Sequence, residues 1–343
     1  MKGVPVTIIL INWNSGNKTK DCIESLFQSS YKKFNIIVVD NGSTDQSIED
    51  LEQSYNQSNK IEFIKYFKNT GFCYANNRAM EKALSNNSEY IILLNNDMSV
   101  ASDWLEKLIM TAEKNDNAVV FGSKIKFKNM PDLLNSTGIH MNISGYCWDR
   151  DFGEYDKNVN RETSSILAVS GGSMMIRSSI LKDSGLLDED YFAYYEDLEF
   201  CLRVRRKKLG EIIYVNDSIC YHEYSGSSSK MPVFRYYLAV NNFWLNLSKV
   251  FSLKMLMRHA PRIVLRRIRN EVFMKIKKRE WEYLLIEIKG IVKFPFMILK
   301  NLKNISEKGF ADTYRHLLQP ANIMPGANIG NIEKESGKKW KYS

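Results

Sequence analysis

The sequence predicts an α/β fold: a Rossmann-like, mostly parallel central sheet with helices on both faces, followed by a basic helical C-terminal region. Three observations predict it. Continuous apolar runs of strand length recur through the first half of the 343-residue chain. Segments of helical periodicity alternate with them. Charge is divided: residues 231–343 hold 22 Lys+Arg and 8 Asp+Glu, a net of +14, whereas the first 230 residues hold 26 and 31, a net of −5.

The elements follow in order. Val6–Ile11 is an unbroken apolar strand, and Thr19–Gln28 sets Cys22, Ile23 and Leu26 on one helical face. Asn35–Asp40 is a second strand, Ile61–Phe67 alternates as a third, and Phe72–Leu84 is helical. Ile91–Leu94 is the next strand, Asp103–Ala112 a helix opening on acids, and Val119–Ile125 a further strand. Ligands of open α/β sheets bind beyond the carboxyl ends of the strands. Asp40 ends one strand, and Asp97 follows another after Asn95-Asn96, so both fall on that edge. Asp40 also suits a plain turn, "DNGSTD". "NSGNKT" (Asn14–Thr19) lacks the Gly directly before Lys that a phosphate-binding loop requires.

Further on, Ala168–Arg177 reads as a strand broken by Gly171-Gly172, which marks a bulge or a close backbone approach. Six acidic residues lie between Asp188 and Glu199, interleaved with Tyr191, Phe192, Tyr194 and Tyr195. From Glu196 the pattern is helical, with Leu198, Leu202 and Leu209 inward and Arg203, Arg205, Arg206 and Lys207 in water. Glu196 and Asp197 suit a helix start simply as acids. Beside tyrosines, they also suit a partly desolvated base. The strand beginning at Glu211 carries His222; a lone histidine is more often structural than a ligand.

Composition excludes some classes. The five cysteines form no CxxC pair and no metal-ligand spacing, and read as reduced thiols. No signal peptide is expected, because Val6–Ile11 is short and lacks a small-residue cleavage site. No stretch of about 18 uncharged apolar residues is long enough to span a membrane. In the basic region, Met257, Ala260, Val264 and Ile268 recur at helical spacing beside Arg258, Arg262, Arg266 and Arg269. That pattern fits helices packed on the first domain with a wet basic face. It also fits a surface lying on an anionic membrane. Nothing resembles a base-reading module, so nucleic acid is not expected as a partner.

Taken together, these residues resemble family 2 of the inverting GT-A-fold glycosyltransferases, closest to its bacterial rhamnosyltransferase-like branch. The carrying motifs, between about Pro5 and Asn242, are "ILINWNSGNKTKDCIESLFQSSYKKFNIIVVDNGSTDQS", "NTGFCYANNRAM", "LLNNDMSV", "SGGSMMIR", "GLLDEDYFAYYEDLEFCLRVRRKKLG" and "CYHEYSGSSS". The resemblance implies that Asn12, Asp40, Asn41, Ser43 and Asn76 help hold the nucleotide of a sugar-nucleotide donor, with Gly171 and Gly172 lining it. It implies that Asp97, the last acid of a D-x-D element, and His222 ligate Mg²⁺ or Mn²⁺. It implies that Asp197 is the catalytic base, with Glu196 as the alternative. Asn95 departs from the pattern, since an amide replaces the first carboxylate; it can bind ribose instead. The implied donor is dTDP-rhamnose or a UDP-hexose. For such a transferase, a basic region lying on a membrane suits a saccharide acceptor that is lipid-linked, in cell-surface polysaccharide assembly, with the enzyme cytoplasmic and peripheral on the inner membrane face.

The expected organisation is a GT-A domain over residues 1–235, a basic helical and membrane-associating region over 236–320, and a flexible tail over 321–343. Competing readings are a nucleotidyltransferase with a similar sheet, or a non-catalytic subunit that binds a saccharide or a partner.

Overall fold

The structure is a computed structural model and describes residues 3–223, 231–305, 318–319 and 328–337. Strand β1 (Val6–Asn12) leads through α1 (Gly16–Phe27), β2 (Phe34–Asn41), α2 (Ser47–Tyr55) and β3 (Ile61–Tyr66) to α3 (Phe72–Ser85). Then come β4 (Tyr90–Leu94), β5 (Met98–Val100), α4 (Trp104–Lys114), β6 (Ala118–Phe127), β7 (Met130–Ser136), β8 (Ile139–Met141) and β9 (Cys147–Asp149). Next are β10 (Ser164–Ser165), β11 (Ser173–Arg177), α5 (Leu181–Ser184), α6 (Glu196–Arg206) and β12 (Glu211–His222). The helices α7 (Pro232–Val250), α8 (Leu253–Arg267), α9 (Phe273–Lys278), α10 (Trp281–Ile305) and α11 (Ile329–Ser336) follow.

The main sheet runs β10-β12-β6-β11-β4-β1-β2-β3. β1 pairs in parallel with both β2 and β4, β2 with β3, and β12 with β6. β11 lies antiparallel between β4 and β6. Side chains alternate along each strand, so an unbroken apolar run feeds two cores. Ile8, Leu10, Ile36, Val38 and Ile92 pack under α1, α2 and α4, while Ile9, Ile37, Val39, Ile91 and Leu93 pack under α3 and α6. The mostly parallel α/β sheet expected from sequence is therefore present. The paired glycines sit before β11 in a turn rather than inside a strand.

The expected boundary at residue 235 falls within α7. Val240, Phe243, Trp244 and Leu247 of that helix belong to the same buried cluster as the sheet residues Ile91, Leu93 and Met174. On α8 the inward residues are Met255, Leu256, Ile263 and Arg267, whereas Met257 is exposed. Ala260 and Val264 of the expected stripe pack against the core, and the inward face extends past them to Arg267, which pairs with Glu287 of α10. Its Nε lies 2.7 Å and its Nη2 3.0 Å from the two carboxylate oxygens. Arg205, expected in water, is also buried, and its Nε donates to the Leu167 carbonyl at 3.1 Å. Of the tail expected to be flexible, 321–327 and 338–343 lie outside the described residues. In the described part, α11 seats Ile332 against Leu133 and Phe152.

Glu287 is fully buried, so Glu287→Gln strands the Arg267 charge. Removing one partner of a buried pair is expected to cost roughly 3–5 kcal/mol. Urea denaturation measures it, and the double variant Arg267→Met/Glu287→Leu should regain most of the loss. A cost below about 1 kcal/mol, as for an exposed pair, contradicts the burial.

Candidate active site

The carboxyl ends of β1, β2 and β4 share one edge, and β11 begins there because it runs the other way. β1 and β2 are in register at Asn12 and Asp40. Asn12 is fully buried. Its amide reaches Asp40 Oδ1 at 3.0 Å, Ser47 Oγ at 2.9 Å and Ser43 Oγ at 3.2 Å, and its oxygen accepts from Thr19 Oγ1 at 2.8 Å. Asp40 also accepts from the Ser43 backbone N–H at 3.1 Å and from its hydroxyl at 2.5 Å. Thr19 Oγ1 in turn accepts from Asn96 Nδ2 at 2.8 Å, which ties the β4 tip to the same network.

Asn41 is saturated. Its amide donates to Asn69 Oδ1 and the Gly71 carbonyl, each at 3.1 Å, and its oxygen accepts from the Thr70 N–H and hydroxyl at 2.9 and 2.8 Å. Asn76 is buried on α3 and donates back to the Phe72 carbonyl at 2.9 Å. Asn12 and Asn41 therefore shape the edge, while Asp40 and Ser43 form its rim.

At the β4 tip, Asn95 N–H donates to the Gly172 carbonyl at 3.0 Å. Asp97 stands beside His222, because β5 and β12 pair at Met98 and His222. Asp97 Oδ1 lies 3.3 Å from His222 Nε2. His222 Nδ1 is 3.1 Å from Asn135 Oδ1; in the tautomer that puts the proton on Nδ1, Nε2 turns its lone pair toward the carboxylate. Asp97 Oδ1 is buried and accepts no hydrogen bond among the described residues. Two donor atoms this close, one orphaned and the other oriented through its second nitrogen, fit adjacent ligands of one divalent cation. Bonds of about 2.1 Å at a right angle would separate them by roughly 3 Å. Among the described residues no group of three or more His, Cys, Asp or Glu could hold a metal, so such an ion would draw the rest of its shell from phosphate or water.

Asp197 lies on the first turn of α6. Gly171 N–H donates to its Oδ2 at 2.8 Å and Leu198 N–H to its Oδ1 at 2.7 Å. A Cβ on Gly171 would lie 3.3 Å from Asp197 Cβ, so the glycine permits this approach. Desolvation raises the Asp197 pKa, and the two backbone donors oppose the rise. Glu196 is the more buried of the two. It is buried, its Oε2 is unpartnered, and desolvation, with the Asp197 charge second, pushes its pKa up. The loop before α6 is bent: Tyr194 and Tyr195 have φ of 70° and 72°, a costly region for aromatic side chains. Asn242 of α7 holds that bend, donating to the carbonyls of Ala193 and Tyr194 at 2.7 and 2.8 Å.

The sequence reading missed three participants. Asn242 and Asn135 lie far along the chain from the groups they orient, and no local pattern marks them. Asp149, on β9, feels both Asp197 and His222. Desolvation pushes its carboxyl up to about 6, with Ser136 pulling it down.

A family model described as "Glycosyl transferase family 2" matches residues 7–185, more than half of the chain. The "Low-salt glycan biosynthesis hexosyltransferase Agl10" of Haloferax volcanii is 26% identical over 211 residues, which is 60% of this chain and 62% of the relative. "Glycosyltransferase GlyG" of Streptococcus pneumoniae is 27% identical over 118 residues, 34% of this chain and 38% of the relative. The chain thus spans less than two thirds of the length of these curated relatives. Among solved structures, S. aureus TarS 1-349 in complex with UDP-GlcNAc superposes with a TM-score of 0.57 at 15% identity, over 92% of this chain and 93% of the other. GalNAc-T7 with UDP, GalNAc and Mn²⁺ gives 0.59 at 16% identity, over 73% and 48%. At such identities the likeness establishes the fold, an α/β sheet of the GT-A kind.

The buried Glu196 carboxyl predicts a pH-dependent stability. Its folded pKa is raised, so the native state keeps a proton that the unfolded chain releases. Stability from this group is full below the ordinary glutamate pKa and is lost as pH rises through the raised one. Glu196→Gln should therefore raise the melting temperature relative to wild type at pH 9 but not at pH 5. Equal differences at the two pH values would sink this assignment.

Proposed function

The chain belongs to glycosyl transferase family 2, and from that premise we propose that it moves one sugar from a nucleotide-sugar donor to a saccharide hydroxyl, inverting the anomeric carbon. The observation that carries this reading is a single sheet edge that gathers the Asp40–Ser43 rim, the Asp97–His222 pair and the Asp197 carboxylate. The donor is of the dTDP-rhamnose or UDP-hexose type. The acceptor is lipid-linked, in cell-surface polysaccharide assembly, met at the inner membrane face.

The chemistry follows from the side chains. Asp40 and Ser43 meet the nucleoside, with Asn12 and Asn41 fixing their turn. Asp97 and His222 would hold Mg²⁺ or Mn²⁺, which neutralises the charge growing on the departing diphosphate. Asp197 accepts the proton of the attacking hydroxyl. Its two backbone donors aim the carboxylate, and its desolvation raises its basicity. Glu196, turned into the core, does not compete for that role.

Release of nucleoside diphosphate with a panel of sugar nucleotides tests the reading; no release with any donor and acceptor would overturn it. Asp197→Asn is expected to keep donor affinity within a few-fold by calorimetry and to lose on the order of 10²-fold or more in rate. Glu196→Gln should cost much less. Because the base acts ionised and its pKa is raised, the wild-type rate should fall on acidification at a pH above the ordinary carboxylate range.

Asp97→Ala should fold normally yet lose donor turnover, and the wild type should lose it in EDTA. Full activity of that variant in EDTA would remove the cation from the mechanism.

A further inference from the structure

Helix α10 has two opposite faces. Inward, Phe294 packs on Trp244 with ring centroids 4.6 Å apart, Gly290 leaves no room for a Cβ beside Trp244 Cδ1 (2.7 Å), and Asn301 Nδ2 donates to Ser248 Oγ at 2.9 Å. Outward, Trp281, Leu285, Val292, Phe296 and Leu299 are 58, 55, 59, 68 and 61% exposed, with Ile288 among them. At about 100° per residue these positions share one stripe, and at about 1.5 Å per residue it is some 27 Å long. Lys289 and Lys293 are exposed along its flank, where, among the described residues of α10, Glu282 is the one acidic neighbour on the same side, and the Lys293 Nζ lies 6.0 Å from the Tyr237 ring. On α9, Phe273 and Ile276 are also exposed, as are Lys277, Lys278 and the following Arg279.

We propose that α10 lies flat on an anionic bilayer, seated by this outward stripe, with its flanking lysines on the lipid headgroups. The proposal rests on the transferase reading above and names its partner surface. Charge complementarity selects the occupant. A large apolar stripe edged by lysines suits hydrocarbon below and phosphates beside it. The helix rests on the bilayer rather than crossing it, since among the described residues no helix is long and apolar enough to span.

The seat is coupled to the site by packing. α10 lies against α7, and α7 presents Phe234 to Phe192 of the loop before Asp197, with centroids 5.4 Å apart. Met231, Phe234, Tyr237 and Ile286 line an apolar pocket beside that contact. The site loop is therefore one helix layer from the proposed surface, where a membrane-borne acceptor presents its sugar.

The test uses the full chain and sedimentation with vesicles of phosphatidylglycerol and phosphatidylcholine, against phosphatidylcholine alone. Wild type should bind the anionic vesicles, and added salt should weaken binding as the Debye length contracts. Leu285→Glu/Phe296→Glu and Lys289→Glu/Lys293→Glu should each weaken it at least tenfold. All four positions are exposed, so circular dichroism should be unchanged, as should nucleoside diphosphate release with a water-soluble acceptor. Binding no better than to neutral vesicles, or unchanged in the stripe variant, overturns the proposal. So does a lipid-free dimer that Phe296→Glu makes monomeric. If vesicle binding follows the expected pattern while no protein releases nucleoside diphosphate, the membrane seat stands and the transferase reading falls.

Discussion

The parallel pairing of β1 with β2 and β4 is the constraint on which the rest depends. Parallel neighbours end at the same edge, and their C-terminal backbone groups and polar residues collect there. The apolar runs are spent on the two cores, so polarity is confined to the strand ends. Asn12, Asp40 and Asn95 are neighbours for that reason, although they are distant in sequence. β11 reverses direction and therefore starts at this edge, bringing Gly171-Gly172 to Asn95 on one side and Asp197 on the other. The glycines act by closeness: the backbone replaces side-chain volume between two polar groups.

Much of this was legible. A strand buried on both faces must be continuously apolar, and such runs stand out. The helices α1, α3, α4 and α6 carry periodicity at clear intervals, and their boundaries lie within a few residues of the expected ones. Helix α2 is absent from the sequence expectation, although Ile48, Leu51 and Tyr55 have helical spacing and are all buried. The turn "DNGSTD" directly before it is the stronger local signal. The short strands β7 to β9 gave no signal, because segments of three to seven residues held by pairing and tertiary contact need no strong pattern.

Within the site, residue types were readable but their duties were not. An asparagine beside a nucleotide edge is ambiguous, since its amide can face a ligand or the backbone. In Asn41 both ends of the amide are occupied by the loop after β3. In Asn12 they are taken up by Asp40, Ser43, Ser47 and Thr19. Which of Glu196 and Asp197 is the more buried was likewise closed to sequence. Adjacent helical residues point about 100° apart, and only the packing shows that Glu196 turns to the core.

The basic C-terminal region teaches the same point from energetics. Its charge suggested a separate unit, yet α7 is core to the sheet domain and supplies the clamp on the left-handed Tyr194–Tyr195 bend. Two aromatic residues in that conformation cost on the order of 1–3 kcal/mol each unless the surroundings fix them. Asn242 offsets part of this by satisfying two carbonyls that would otherwise stay unpaired in a part-buried loop. Lys249, seven residues on, and Lys300 of α10 hold Asp190 of the same loop through ion pairs, Lys249 Nζ to Asp190 at 2.9 Å and Lys300 Nζ at 3.1 Å. The carboxylate of Asp197 is therefore aimed from both sides. The sheet edge grips it through Gly171, and the helical region sets the bend from which its helix starts. A region that fixes the geometry of the site can also carry the surface that brings substrate to it, because α7 and α10 pack as one layer behind the loop.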